Sequence, residues 1–498
     1  MRIAASLVLV LGCSEPAPPT TLVDAAPDAG AIDDPFTGRF DDPADFPRTS
    51  CRAGALAGFA HAELYPALAM RTTVDGALAT YVARSLDDVL VPHQLTADDL
   101  FVRHVELYPQ HAELIAIDVC DVDADGTLRG AIARCLEDAS STFPCTASEF
   151  VASPLHRIAG ESDGEHLSLV GELGGDWPRG SSNVRVVGDL AYLSRLEDGL
   201  RIVSIANAAA PVELGHLAVP NDFANDLAIV SSSDGRRYAV VASTFANIID
   251  VTDPRDPQLV AQLPFNPHTV FVEGTTAYFV TGGNAVVSIW DLSAPRTPKR
   301  LAQWTAPDSP TGIPPAWHDV YVTGGIAYLS DMFGVGMVVV DFRDPTQPIV
   351  LGGETGASDH LWHTPWLTTV GGKRLALDGD ESTVTGFRIL DGDPASPTLL
   401  ATRGEWKLRD EVPAHDLMAI GARVYLAHYR DGVRVVDISN PASPQQIAYY
   451  NTWIEGTGTA SGFEAAFGID LDPARKRIYV ADATRGLLIL QGDTTVFP

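Results

Sequence analysis

Residues 318–348, HDVYVTGGIAYLSDMFGVGMVVVDFRDPTQP, decide the fold because their pattern returns along the chain. The stretch begins with alternating apolar and polar residues, turns at Gly324 and Gly325, and continues through an Ala-Tyr strand. A third apolar segment then ends at Asp341, before a proline-rich turn. Period-two alternation, interrupted by Gly and Pro every few residues, is typical of short β-strands.

The third segment and its turn occur seven times, counting one degenerate and one truncated copy. The copies lie at 200–211, 247–257, 287–298, 337–348, 387–397, 433–444 and 486–492. Aligning them gives a column of first-strand residues spaced 43 to 52 residues apart: Ser182, Asn225, His268, His318, His363, His415 and Phe467. Repeats of this period, each with room for four short strands, indicate the blades of a β-propeller.

The two ends of the repeat region predict how the ring closes. The seventh repeat stops soon after its third strand and therefore lacks a fourth. Residues 165–175, EHLSLVGELGG, resemble the fourth strand at 211–220 and precede the first repeat. We therefore expect an all-β, seven-bladed β-propeller over 162–498, closed by an N-terminal strand, since closure removes exposed sheet edges.

The aspartates that end the third strands have a structural interpretation. Asp250, Asp291, Asp341 and Asp437 each stand directly before a turn. Short acidic side chains at such positions accept backbone N–H groups of the turn. We expect these four residues to stabilise turns rather than to carry chemistry.

The unit of a strand, an aspartate and a Pro-x-x-Pro turn resembles the LVIVD repeat of bacterial and archaeal surface proteins. The resemblance covers about two thirds of the chain, from residue 162 onwards. It implies a β-propeller and a surface lipoprotein, but no particular ligand or reaction, because a fold hosts many functions.

The first residues predict export and a lipid anchor. Residues 1–12 read as a signal peptide, with Arg2 before a short apolar run, and Val10-Leu-Gly-Cys13 resembles a bacterial lipobox. Cys13 would carry the lipid, and residues 13–50, rich in Pro, Ala and Asp, would form a disordered tether. We expect a protein anchored to the cell envelope, at the outer membrane or cell surface; an ordinary signal peptide is the alternative.

Residues 51–161 form a separate region that we expect to be mostly helical. Thr96 precedes two aspartates in a helix-start pattern, and Thr146 with Glu149 matches a capping box. The region contains four cysteines, which predict two disulfides in any of three connectivities: Cys51, Cys120, Cys135 and Cys145.

An acidic segment in the same region resembles half of a calcium loop. Asp121, Asp123 and Asp125 alternate before Gly126, as at the start of an EF-hand. Ile132 stands where that motif needs a bidentate Glu. Either a calcium site or an ordinary acidic turn accounts for the pattern.

Charge excludes some partners. The chain has 64 acidic and 34 basic residues, so its formal net charge is −30. Nucleic acids and anionic membrane surfaces attract cationic proteins, so we expect neither as a partner, and membrane contact only through the lipid anchor.

Four histidines of the first-strand column are the candidate site. His268, His318, His363 and His415 fall in consecutive blades, at one height around the predicted axis. Imidazoles that converge there could bind iron, copper or zinc. Alternatively, each histidine bonds within its own blade. Asp319 and Asp416 follow two of them and should alternate to the opposite face of the strand.

Two functions are compatible with these patterns. The first is a non-enzymatic binding scaffold that holds a protein, glycan or small molecule at one mouth of the propeller. The second is an exported, metal-dependent oxidase that uses the four histidines. The chain contains no P-loop and no HExxH motif, and we assign no catalytic residue.

Overall fold

A computed structural model describes most of the chain. The described residues are 38–46, 51–56, 68–74, 77–82, 92–96, 98–107, 111–138, 145–177, 180–196, 198–219, 224–232, 235–307, 315–332, 336–354, 360–382, 384–455 and 464–498. None of the helices in these ranges is long and apolar enough to cross a membrane. The chain divides into two compact units near residue 160.

The N-terminal unit is a seven-stranded antiparallel sheet. Its strands are β1 (Leu68–Val74), β2 (Ala77–Val82), β3 (Pro92–Leu95), β4 (Leu100–Leu107), β5 (His111–Val122), β6 (Leu128–Asp138) and β7 (Thr146–Pro154). Their order in the sheet is β2-β1-β7-β6-β5-β4-β3. A single 3-10 turn, Pro43–Asp45, is the one helical element within the described residues.

The prediction that residues 51–161 are mostly helical is wrong. Thr96 does accept the backbone N–H groups of Asp98 and Asp99, at 3.1 and 3.0 Å, but these bonds close a turn that leads into β4. Thr146 and Glu149 lie in β7, paired with β6. A cap pattern spans only four residues, and pairing with a neighbouring strand overrides it.

The prediction of two disulfides is confirmed, and the structure selects one connectivity. Cys51 pairs with Cys120, and Cys135 pairs with Cys145. Cys135 also belongs to the buried apolar cluster of this sheet, together with Phe101 and Leu114.

The second unit is the predicted propeller, with seven sheets of the same design. Blade 1 comprises β10 (Ser181–Val187), β11 (Leu190–Arg195), β12 (Gly199–Ser204) and β13 (Val212–Leu217). Blade 2 comprises β14 (Asp226–Ser231), β15 (Arg237–Ala242), β16 (Ala246–Asp250) and β17 (Gln258–Leu263). Blade 3 comprises β18 (Thr269–Glu273), β19 (Thr276–Val280), β20 (Val286–Asp291) and β21 (Lys299–Thr305). Blade 4 comprises β22 (Trp317–Thr323), β23 (Ile326–Asp331), β24 (Met337–Asp341) and β25 (Ile349–Gly353).

The remaining blades include the strands that close the ring. Blade 5 comprises β26 (Trp362–Val370), β27 (Lys373–Asp380), β28 (Phe387–Asp391) and β29 (Thr402–Trp406). Blade 6 comprises β30 (Leu417–Ile420), β31 (Arg423–Ala427), β32 (Val433–Asp437), β33 (Gln445–Tyr450) and the short β8 (Gly164–Glu165). Blade 7 comprises β34 (Ala466–Asp472), β35 (Arg477–Asp482), β36 (Gly486–Gly492) and β9 (Leu167–Leu173).

Closure by the N-terminal strand is confirmed. Strand β9 pairs antiparallel with β36, from Leu173 opposite Leu487 to Leu167 opposite Gly492. The first strand of every blade contacts the first strand of the next, and β34 contacts β10. The seven sheets therefore form a closed ring around one axis.

Two positions of the repeat connect neighbouring blades and shape each turn. Asp250, Asp291, Asp341 and Asp437 accept the backbone N–H of the residue two positions on, at 2.7 to 3.0 Å, which confirms their predicted role. A glycine in the fourth strand lies against the turn of the following blade. A Cβ at Gly404 would collide with the carbonyl oxygen of Pro441, and one at Gly215 with that of Pro254.

Candidate functional site

The candidate site is a cavity of about 280 Å³ on the propeller axis. The first strands of the blades line it, and the repeat places equivalent residues at three successive heights. The histidine layer is the column Ser182, Asn225, His268, His318, His363, His415 and Phe467. The acid layer, one residue further on, contains Asn183, Asp226, Thr269, Asp319, Thr364 and Asp416. The aromatic layer, two residues beyond that, contains Arg185, Phe271, Tyr321, Trp366, Met418 and Asp470.

The prediction that Asp319 and Asp416 face away from the histidines is wrong. Both aspartates line the cavity beside His318 and His415. The reason for Asp319 is a β-bulge, since the pairing of β22 with β23 slips between Trp317 and Asp319. At Asp416 the backbone shows the same irregularity, because Ala427 accepts the N–H of His415 and donates to the carbonyl of Asp416. A bulge inserts an extra residue and breaks the alternation of side chains, so consecutive residues reach the same space.

The carboxylates of the cavity hold neighbouring blades together, with one exception. Asp226 accepts the backbone N–H of Val270 in the next blade at 2.9 Å, and Asp416 accepts that of Ile469 at 3.2 Å. The equivalent position opposite Asp319 is Pro365, which has no N–H to give. Within the described residues, Asp319 accepts instead the backbone N–H of its own neighbour Val320 at 2.7 Å.

One arginine faces these carboxylates. Arg185 lies 3.6 Å from Asp226 and lines the cavity, and 26% of its side chain is exposed. Burial works against its charge, but four carboxylates raise its pKa: Asp226, Asp416, Asp470 and Asp319. Burial raises the pKa of all four carboxyls, that of Asp416 to about 7, because one guanidinium does not compensate them.

Three aromatic rings from consecutive blades form an arc in the aromatic layer. Phe271 and Tyr321 have ring centroids 5.0 Å apart, and Tyr321 and Trp366 lie 4.8 Å apart. All three line the cavity and are half-buried. The indole N–H of Trp366 donates to the carbonyl of Ala419 at 3.2 Å, which fixes the ring. The arc was not predicted from the sequence, although the same alignment that revealed the histidines contains it three residues further along.

The four predicted histidines do lie together. Their ring centroids are 4.3 Å apart for His268 and His318, 3.8 Å for His318 and His363, and 4.3 Å for His363 and His415. All four are buried. Burial lowers the pKa of His268 to about 4 and that of His415 to about 3, and it holds those of His318 and His363 well below the usual range. The rings are therefore neutral near pH 7.

The hydrogen bonds of these histidines differ, and they determine which nitrogens remain available. The side-chain amide of Asn225 lies 3.2 Å from Nε2 of His268, which is not among the residues that line the cavity. Nδ1 of His415 donates to the carbonyl of Phe467 at 2.7 Å, and Nδ1 of His363 lies 2.8 Å from the hydroxyl of Thr364.

His318 is the least satisfied of the four. Within the described residues, neither of its ring nitrogens makes a hydrogen bond, and only 1% of the residue is exposed. The backbone of His363 lies near the ring and opposes the lowering of its pKa, although no hydrogen bond of ordinary geometry forms. A buried polar group without a hydrogen bond costs about 1–3 kcal/mol.

Glu381 joins the histidine layer from outside the repeat column. It follows β27 in blade 5, and its Oε2 lies 3.7 Å from Nε2 of His363. Ligand atoms of His318, His363 and Glu381 all lie within 4.8 Å of one another. Glu381 was not predicted from the sequence, because nothing in the alignment distinguishes a loop residue that only the blade geometry brings to the axis.

The acidic segment of the N-terminal unit forms a turn. Asp121 accepts a hydrogen bond from the guanidinium of Arg52 at 2.7 Å, and Asp123 accepts one from the guanidinium of Arg129 at 2.8 Å. Asp125 accepts the backbone N–H of Thr127 at 3.0 Å. The three carboxylates thus have separate partners, as expected of an acidic turn between β5 and β6. Among the described residues they do not form a group with metal-ligand spacing.

One predicted site and one further sequence pattern remain to be placed. Cys13, the predicted lipidation site, lies outside the described residues. Residues 160–164, Gly-Glu-Ser-Asp-Gly, match the G-x-S-x-G pattern of hydrolases. That motif needs a strand-to-helix turn. Here Ser162 instead donates to the carbonyl of Gly164 at 3.0 Å, in an extended segment that leads into β8.

Comparison with known proteins identifies the repeat. The family model described as the LVIVD repeat matches residues 178–219, 317–353 and 413–452, which fall in blades 1, 4 and 6. A search of curated protein sequences finds no match.

Several solved structures are similar in part. A putative 6-phosphogluconolactonase from Bacteroides uniformis shares 15% identity, covering 64% of this chain and 93% of its own, with a TM-score of 0.48. One from Bacteroides fragilis shares 14% identity, covering 64% and 91%, with a TM-score of 0.47. The C-terminal WD40 domain of Sif2 shares 12% identity, covering 66% and 98%, with a TM-score of 0.44. At these TM-scores we take no function from them.

Proposed function

Because the chain is a β-propeller built from LVIVD repeats, we propose that it is a non-enzymatic binding protein that holds a small organic cation in its axial cavity. The observation that carries the proposal is that the acid layer and the aromatic layer share one cavity. Carboxylates neutralise an ammonium group, and aromatic faces attract it through their quadrupoles.

The charges in the cavity favour a cation over an anion or a neutral ligand. Four carboxyls face Arg185, and burial raises the pKa of each of them. A bound cation would supply the missing positive charge and stabilise their ionised form. Asp319 faces a proline rather than an N–H of the next blade, so its carboxylate is the best placed to turn towards a ligand.

We also propose that the protein is exported and lipid-anchored at Cys13. The lipobox-like residues before Cys13 support the anchor. The disulfides Cys51–Cys120 and Cys135–Cys145 support an oxidising compartment, where such bonds form and persist. Mass spectrometry of the protein from its native envelope would test this, since a diacylglyceryl group on Cys13 is the expected modification.

Calorimetric titration with choline tests the ligand class. The matched control is 3,3-dimethyl-1-butanol, in which carbon replaces the charged nitrogen. We expect choline to bind at least about tenfold more tightly, because a desolvated cation–π interaction contributes about 2 kcal/mol and a tenfold difference in affinity needs only about 1.4 kcal/mol.

Variants place the binding in the cavity. Asp319→Asn and Tyr321→Leu should each weaken choline binding about fivefold. Asp189→Asn removes the same charge from an exposed residue that pairs with Arg475, and it should leave binding unchanged. Equal affinity for choline and its neutral analogue, or full affinity in both cavity variants, would rule out the organic-cation site.

A metal-dependent oxidase remains the second candidate function. The observation in its favour is the group of buried, neutral histidines beside Glu381. Oxygen consumption by the metal-loaded protein with reducing substrates would test it, and an inactive protein that binds metal stoichiometrically would count against it.

A further inference from the structure

We infer that His318, His363 and Glu381 form a binding site for a divalent first-row transition metal ion at the edge of the axial cavity. This site is separate from the organic-cation site proposed above and does not depend on it. Four histidine ligands were expected from the sequence, whereas the structure assigns two histidines and one carboxylate.

The three side chains have a geometry that suits a metal ion. Their ligand atoms lie within 4.8 Å of one another, and all three residues are buried. Zinc binds imidazole nitrogen and carboxylate oxygen at about 2.0–2.2 Å, so small side-chain rotations bring the atoms to a common centre. The rings of His318 and His363 are already in contact, with centroids 3.8 Å apart and planes tilted by 38°, which restricts where the two side chains can point.

The hydrogen bonds of Thr364 fix the tautomer of His363. The hydroxyl of Thr364 donates to the carbonyl of His415 at 3.1 Å, so its oxygen is left to accept from Nδ1 of His363 at 2.8 Å. This places the imidazole proton on Nδ1 and a lone pair on Nε2, the atom that faces Glu381. A hydrogen bond that fixes the tautomer in this way is the usual support of a metal-binding histidine.

His318 has ring nitrogens that a metal ion would satisfy. Neither nitrogen makes a hydrogen bond among the described residues, although the residue is buried and lines the cavity. A metal ion bound to one nitrogen would supply the missing partner. Tyr429 donates its hydroxyl to Oε1 of Glu381, and Oε2 of Glu381 lies 3.7 Å from Nε2 of His363.

The donor set selects the class of ion. Two imidazoles and one carboxylate suit zinc and iron(II), whereas calcium and magnesium prefer oxygen ligands. Three protein ligands leave at least one coordination position, and His318 and His363 both line the cavity. The open position would therefore face the cavity and accept water or a ligand.

The first and fourth histidines of the column lie outside the proposed site. Nε2 of His268 is already engaged by Asn225 at 3.2 Å. Neither His268 nor His415 has a ligand atom in the group of three. His268 therefore distinguishes the two arrangements experimentally.

The test is metal binding by the full chain, purified without a chelator or a polyhistidine tag. We expect about one zinc ion per chain by elemental analysis, and a visible absorption band typical of low-coordinate sites when Co²⁺ replaces it. His363→Gln and Glu381→Gln should weaken Co²⁺ binding about tenfold or more. His216→Gln, in blade 1, is the matched control, and His268→Gln should also leave the Co²⁺ affinity unchanged.

Each outcome decides the proposal. A wild-type protein that binds neither Zn²⁺, Co²⁺ nor Fe²⁺ overturns it, and so does a His268→Gln variant that loses the ion as completely as His363→Gln. Thermal unfolding without metal checks that the variants fold. If the variants do not fold, thermal unfolding of the wild-type protein tests the proposal instead. A metal ion that binds the folded protein must raise its melting temperature as the metal concentration increases. Choline titration of the metal-free protein reports on the organic-cation site separately.

Discussion

Asp319 and Asp226 occupy the same position in different blades but have different roles. Asp226 accepts N–H groups from Val270 in the next blade and from Leu227 in its own strand. Asp319 faces Pro365 and accepts only from Val320 among the bonds of the described residues. A single proline thus releases one carboxylate of the ring from a structural role.

This difference predicts unequal costs of substitution. Asp226→Ala leaves the N–H of Val270 without its acceptor and should lower the free energy of unfolding by about 1–3 kcal/mol. Asp319→Ala removes no bond between blades and should cost at least about 1 kcal/mol less. Urea unfolding of both variants measures the difference, and equal losses would contradict the interpretation of Pro365.

At the residue scale, the repeat alignment predicted the histidines but not their surroundings. The four histidines lie together as predicted because equivalent first-strand residues of a closed ring lie at the same level along its axis. The predicted orientation of Asp319 and Asp416 was wrong because an alternating sequence does not indicate where a β-bulge will form. Glu381 lies in a loop, and its distance from His363 depends on how two blades pack.

The turn between the third and fourth strands of blade 5 is held by several side-chain hydrogen bonds. Asp391 accepts the hydroxyls of Ser396 and Thr398 and the guanidinium of Arg403, at 2.8, 2.6 and 2.7 Å. Burial opposes ionisation of Asp391, but these hydrogen bonds outweigh it and hold its pKa well below the usual range. The ionised carboxylate is therefore favoured in the folded state.

The sign of this shift predicts a dependence on acid. A lowered pKa stabilises the fold above the ordinary Asp value, about 3.9, and the stabilisation is lost as the pH falls below it. Asp391→Asn should therefore have a lower free energy of unfolding than the wild-type protein at pH 6. The difference between the two proteins should become smaller from about pH 4 downwards. Urea unfolding at several pH values measures this difference in the free energy of unfolding. A difference that does not change with pH would show that the charge of Asp391 contributes nothing to stability.

The glycines of the fourth strands predict a second effect. Gly404 lies against the carbonyl of Pro441 in the next blade, so Gly404→Ala forces the two blades apart. We expect a loss of about 1–3 kcal/mol in the free energy of unfolding, as for other overpacked sites. Gly175→Ala is the control, since a Cβ there meets nothing within 4 Å. Equal effects of the two substitutions would show that the contact has no energetic weight.

Elements were predicted well where the sequence repeats and poorly where it does not. Seven copies of one pattern average out the ambiguity of each short strand. Residues 51–161 offer a single copy, so the cap patterns at Thr96 and Thr146 had no second example to contradict them. Thr96 closes a turn that leads into β4, which pairs with β5, and Thr146 begins β7, which pairs with β6.

The closure of the ring depends on blade 7, which combines three C-terminal strands with the N-terminal strand β9. Strand β9 supplies the outer strand of blade 7, and β8 adds a short strand to blade 6. Arg434 in blade 6 also binds Glu161 through both carboxylate oxygens, at 2.6 and 3.0 Å. The start of the propeller is thus attached to its last two blades.

Disrupting the pairing of β9 with β36 in blade 7 should lower the stability of the whole propeller. Leu169→Pro removes a backbone donor opposite Leu490, and we expect it to cost about 3 kcal/mol or more. Leu169→Ala keeps the backbone pairing and should cost less, because the side chain is only partly buried. Hydrogen exchange of 486–492 provides the measurement. If the proline variant leaves those amides fully protected, β9 does not determine ring stability.

The closing strand was predictable at this scale because a blade with three strands is incomplete. The similarity of 165–175 to 211–220 then left one candidate for the missing strand. The axial cavity was not predictable, since its volume depends on seven inner strands at once.

The pairing of β9 with β36 also sets an order of events during synthesis. Leu167 is made early, yet its partner Gly492 follows more than three hundred residues later. At about 5–20 residues per second, the ribosome needs tens of seconds to deliver that partner. The nascent propeller therefore cannot close while it is being made, and for the exported protein proposed above this interval would leave the ring open for passage through a translocation pore.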